Sequence, residues 1–119
     1  MQEKARIYGI YKASTLTGNR VKNAAGERVG RIKEIMIDLE EGRIAYAVLS
    51  FGDFFGLGGK LFAIPWNALV FKPHESVFIL NVDKERLKNS PGFNKNHWPD
   101  AADPQWSTGP VPDTDSILG

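Results

Sequence analysis

Two apolar runs, Arg43 to Phe51 and Lys60 to Pro65, flank a loop that holds Gly52, Gly56, Gly58 and Gly59. In the first run Ile44, Tyr46 and Val48 share one parity, and Ala45, Ala47, Leu49 and Phe51 share the other. Apolar residues on both parities predict a strand covered on both faces. The second run is too short for a stable helix and suits a strand. Glycine supplies the positive φ angles of a tight connection, so the pair reads as a β-hairpin with a long glycine-rich tip.

The same patterning extends to either side. Asn19 to Lys22 reads as a short strand, and Asn23-Ala-Ala-Gly26 as a turn with Gly26 at the positive-φ position. Val29 to Leu39 is the next strand. Ile35, Ile37 and Leu39 share one parity while Ile32 has the other, a phase slip that predicts a β-bulge near Lys33–Glu34. Asp38 to Gly42 is a polar connection in which Asp38 is placed to accept from backbone amides. Pro65 ends the second apolar run, Trp66 to Leu69 turns, Val70 to Lys72 resumes as a strand, and Val77 to Val82 is the last. Ser14 is expected to cap one helical turn ending at Gly18. Asp83 to Asn89 reads as a short helix with Asp83 as N-cap and a Val82–Leu87 hydrophobic staple, stopped by Pro91.

These elements divide the chain into an N-terminal arm (1–12), a barrel domain (13–90) that includes the helix at 83–89, and a Pro-rich tail (91–119). The tail holds prolines 91, 99, 104, 110 and 112, yet also Phe93, Trp98 and Trp106, which a disordered segment rarely carries. It is expected to pack to about residue 106. The fold class is therefore mainly β: a small six-stranded antiparallel barrel with one short C-terminal helix and an irregular aromatic tail.

Composition adds exclusions. The 119 residues are 42% hydrophobic, enough for one modest core, and carry a formal net charge of +1. The chain therefore has no global field to draw in nucleic acid or a membrane. Locally the balance shifts: Lys4 to Lys33 contains eight basic residues and one acid, Glu27, while His97 to Gly119 contains four acids and no Lys or Arg. Mutual neutralisation of the two ends is preferred over a nucleic-acid patch, for which Arg20, Lys22, Arg28 and Arg31 are the candidates. The absence of cysteine excludes disulfides, thiolate catalysis and Cys-based metal sites. No apolar run suits a signal peptide or a bilayer span, so a cytoplasmic location is expected.

The ordered series Leu16-Thr-Gly-Asn-Arg-Val21, Gly26 to Ile35, Asp38, Gly42 to Val48, Gly56-Leu-Gly58, Lys60 to Trp66 and Leu80-Asn-Val-Asp83 resembles the PRC-barrel family. The helix, Pro91-Gly-Phe93, Asn96-His-Trp98-Pro-Asp and Asp103-Pro-Gln-Trp106 are similar to the segment after the barrel in stand-alone members. The resemblance, over roughly residues 14–106, implies a PRC-type barrel. It implies no catalytic site, since members such as the reaction-centre H subunit and a ribosome maturation factor act as adaptors. The H subunit's transmembrane helix and the maturation factor's N-terminal domain have no counterpart here, so neither specialised role carries over.

Residue chemistry agrees. The glycine loop lacks the Lys-Ser/Thr of a phosphate-binding loop. His74 and His97 lie on separate irregular segments, a poor metal signature. The Asp38, Glu40, Glu41 cluster reads as a solvated turn. No cofactor and no enzymatic activity are expected. Phe54, Phe55 and Leu57 on the hairpin tip, with Phe62, Trp66, Trp98 and Trp106, form the candidate interaction surface. The expected partners are an unidentified protein and a second copy of the chain, because so many two-sided apolar strands need cover. An RNA- or ribosome-associated assembly factor is the alternative, and a small-molecule-binding barrel the second alternative.

Overall fold

A computed structural model of the chain describes residues 9–52 and 59–107. The strands are β1 (Arg20–Lys22), β2 (Arg28–Asp38), β3 (Arg43–Phe51), β4 (Lys60–Pro65), β5 (Leu69–Lys72) and β6 (Val77–Leu80). The helices are α1 (Ala13–Leu16) and α2 (Lys84–Asn89), with single 3-10 turns at Trp66–Ala68 and Pro104–Trp106. One sheet in the order β4-β3-β2-β1-β6-β5 curls into a half-barrel.

The sheet is mixed, which corrects the antiparallel expectation: β1 pairs with β6 in parallel, while the other neighbours are antiparallel. The reason lies at Pro65–Ala68. A hairpin at every turn would alternate all the strands. Instead the 3-10 turn after Pro65 carries the chain across without reversing it, so β4 and β5, at opposite edges, run in the same sense.

β3 is buried on both faces from Tyr46 to Ser50, as its pattern predicts. Ala47 and Leu49 point inward with Phe62, Ile64, Phe71, Phe78, Leu80 and Trp106. Tyr46 and Val48 point outward with Leu61 and Ala63, under Phe93, Trp98 and Ala102 of the tail. The cover for the outer face thus comes from the same chain. That face therefore does not itself call for a second copy of the chain.

The tail is fixed to the outer edge of β4. Phe93 N donates to Leu61 O (2.8 Å) and Asp103 N to Ala63 O (3.0 Å). Those carbonyls face away from β3, and by strand alternation so does the nitrogen of Pro65. Its missing donor therefore falls on the free edge, where it breaks no ladder bond. Gly92 sits so close to this edge that a Cβ would lie 2.7 Å from Leu61 N. Lys60 adds a tie: its ammonium donates to the carbonyls of Leu87 (3.0 Å), Lys88 (2.6 Å) and Ser90 (2.7 Å), which neutralises the C-terminal end of α2.

Local predictions hold at several points. The register of β2 slips between Ile32 and Glu34, as expected, and again between Met36 and Ile37. Gly26 takes φ 86°. Asp83 accepts from Glu85 N (3.0 Å), with Val82 and Leu87 buried together. Ser14 is not a cap: Lys12 occupies that position without a side-chain bond, and Ser14 lies inside the turn. The ladder of β6 ends at Leu80, although Val82 remains buried.

Candidate interaction surfaces

The expected aromatic surface separates into three groups. Phe62 and Trp106 are core residues, 3% and 1% exposed, so they are corrected from surface to interior. The two rings meet edge to face at 5.2 Å, and Arg86 lies 4.5 Å over the Trp106 ring. The physical reason is that the half-barrel is open at its β4 edge, and the 3-10 turn at Pro104 drives the indole into the opening. Trp66 and Trp98 are half-buried, one against Phe78 and the other against Phe93. Phe54, Phe55 and Leu57 lie outside the described residues.

Besides Ile10 and Tyr11 of the N-terminal arm, the large apolar side chains left exposed among the described residues form a corner that the sequence pattern did not single out. Ile37 is 51% and Leu39 89% exposed, at the turn between β2 and β3. Parity alone groups them with Ile35, but the second register slip, at Met36/Ile37, comes between. Beside them an open groove is lined by Ile44, Ala45, Pro65 and Trp66, with Asp38, Arg43 and Asp100 also on its wall. Asp38 is held rigidly, accepting from Glu40 N and Glu41 N at 3.0 Å each. Tyr46 donates to Pro99 O (2.6 Å), and burial, with Asp100 adding to it, raises its phenol above the ordinary value.

The four basic candidates are brought together. Register sets Arg20 opposite Arg31 and Lys22 opposite Arg28, while Val21 and Val29 between them point into the core. Arg31 also donates to Gly18 O (3.2 Å).

Among the described residues the inner face is lined by buried apolar side chains. His74 and His97 are exposed and far apart in the chain, and no group of three or more His, Cys, Asp or Glu among the described residues is placed to hold a metal ion. Among the same residues no helix is long and apolar enough to cross a membrane.

Comparison with known families matches residues 9–87, two thirds of the chain, to the PRC-barrel domain. The chain belongs to the PRC-barrel family. The matched span holds all six strands of the PRC barrel and most of α2, but not the tail that covers it. No curated protein matches the sequence. Among solved structures it is similar to one described as a 16S ribosomal RNA processing protein, RimM, from Pseudomonas aeruginosa. The two share 15% identity over 63% of this chain and 45% of that chain, with a TM-score of 0.45. This PRC barrel therefore spans less than half of that structure's length.

Proposed function

We propose that the chain is a non-enzymatic, cytoplasmic interaction module of the PRC type, docking a protein partner at the corner formed by Ile37 and Leu39. The observation that carries this reading is the exposure of those two side chains, with Ile37 paired across the β2–β3 ladder to Ile44, which lines a groove together with Ala45 and Trp66. An apolar centre with Asp38, Arg43 and Asp100 around it has the make-up of a protein contact site. The partner it fits offers apolar side chains ringed by charges of its own.

The test is quantitative capture from cells that make the protein, with wild type set against Ile37→Asp/Leu39→Asp. Phe54→Ser/Phe55→Ser serves as a second variant. Loss of a discrete partner with the first pair, at unchanged melting temperature, supports the reading. Retention of the same partner by that variant refutes it. Sedimentation equilibrium identifies a second copy as the occupant if a dimer forms and reverts to the 13.2 kDa species in Ile37→Asp/Leu39→Asp.

A further inference from the structure

Like charges directly opposite each other on adjoining strands destabilise a sheet. The β1–β2 pair carries two such oppositions in succession, Arg20↔Arg31 and Lys22↔Arg28. In a chain of net charge +1 this is not a by-product of overall basicity. The cations also continue across the face. Arg31 pairs with Ser50 of β3, and Ser50 lines a shallow cleft together with Lys33, Lys95 and Trp98. Glu27 is tied to Asn23 Nδ2 (2.7 Å), Glu34 lies exposed further along β2, and Arg28 has an interaction partner of its own.

The indole that ends this strip is fixed in place. Trp98 Nε1 donates to Lys95 O (2.8 Å), its ring meets Phe93 edge-on at 5.4 Å, and it remains part-exposed. In sequence the one Lys or Arg close to Trp98 is Lys95, three positions before it. In space Trp98 lies beside Lys33 and Lys95.

We propose that this face binds single-stranded nucleic acid, with Arg20, Lys22, Arg28 and Arg31 on the phosphates and Trp98 as a stacking platform for a base. From β1 through Arg31 to Lys33 and Lys95 the charges cross neighbouring strands, which lie about 5 Å apart, an extended track for an extended polyanion. A flat, held ring at the end of the track favours nucleobases over an acidic peptide, whose carboxylates do not stack. The strip goes beyond the docking corner and does not depend on it, since Arg31 and Asp38 are about 20 Å apart along β2.

The experiment is fluorescence anisotropy with a labelled oligouridylate and the matching oligodeoxythymidylate, using the full chain. Wild type is expected to bind at low salt and to weaken steeply as salt rises. Arg20→Glu/Lys22→Glu converts both like-charge oppositions into opposite-charge ones. It should lose affinity by roughly tenfold or more while its melting temperature holds or rises, a combination that a merely structural role does not produce. Lys33→Glu/Lys95→Glu, which leaves the ring packing alone, should weaken binding and flatten the salt slope. Absence of binding at low salt, or equal affinity in the charge variants, overturns the proposal. So does polyglutamate of equal length binding as tightly, which would assign the strip to an acidic polypeptide.

Discussion

Tyr46 is 1% exposed, on the outer face of β3, and its hydroxyl reaches across to Pro99 O. Burial, reinforced by Asp100, favours the neutral phenol in the folded state. The folded pKa is thus higher than the unfolded one. The stability this contributes is fully present below pH ~10, the unfolded value, and is lost as pH rises through the folded pKa. Tyr46→Phe is therefore expected to flatten the alkaline limb of the stability curve. At neutral pH it should cost about 1 kcal/mol for the lost hydrogen bond. Urea unfolding near neutrality and again above pH ~10 checks both; an unchanged alkaline limb would show that Tyr46 does not set it. Other residue-scale features were hidden from the sequence. Nothing in the pattern around Lys60 says that its ammonium will meet three carbonyls at the end of a helix more than twenty residues later. Nor does it say that Trp106 will be buried with its Nε1 unpaired.

Among elements, the contact between the tail and β4 depends on closeness at Gly92. A Cβ there would lie 2.7 Å from Leu61 N and 2.8 Å from Leu61 O, both backbone atoms that cannot swing aside. Gly92→Ala is expected to lift the tail from the edge, deprotecting the Phe93 amide in hydrogen exchange while the amides of β3 stay protected. Uniform loss of protection would mean that tail and barrel unfold as one unit. The elements themselves were largely legible. Two-sided apolar runs gave β3 and β4, the parity slip gave the bulge after Ile32, and Asp83 with Val82 and Leu87 gave α2. Strand direction was not legible, because whether a short turn such as Trp66–Ala68 reverses the chain depends on where the strand after it can find an edge. The candidate surfaces were legible in part. Arg20, Lys22, Arg28 and Arg31 were within a few residues of one another and met through a hairpin register. The aromatic residues were assigned by size alone, and size does not distinguish the plug of a barrel from a docking surface.

At the scale of the whole molecule, the barrel and the tail share one task, since the outer face of β3–β4 is apolar and β4 is an edge strand. Deleting the chain after Ser90 would bare Tyr46, Val48, Leu61 and Ala63, empty the place of Trp106, and leave the carbonyls of Leu61 and Ala63 without their donors. Removing a buried Trp from a core typically costs about 3–5 kcal/mol, a large share of a small domain's stability. The truncated chain is expected to melt well below the full chain and to associate through its edge. Light scattering alongside a thermal melt checks this. A monomeric truncation with an unchanged midpoint would show that the tail is only an appendage.

The position of Trp106 also bears on how the protein is made. Synthesis delivers all six strands before it delivers the residues that seal them. A nascent chain that ends before the indole has the sheet's register but an incomplete interior, with an open strand margin and an apolar outer wall facing the cell. Hydrophobic surface and unpaired margins of this kind invite capture by other chains. The finished state is reached only once the last aromatic arrives, so chains stalled between Pro91 and Trp106 form the vulnerable population and those released after it form the safe one.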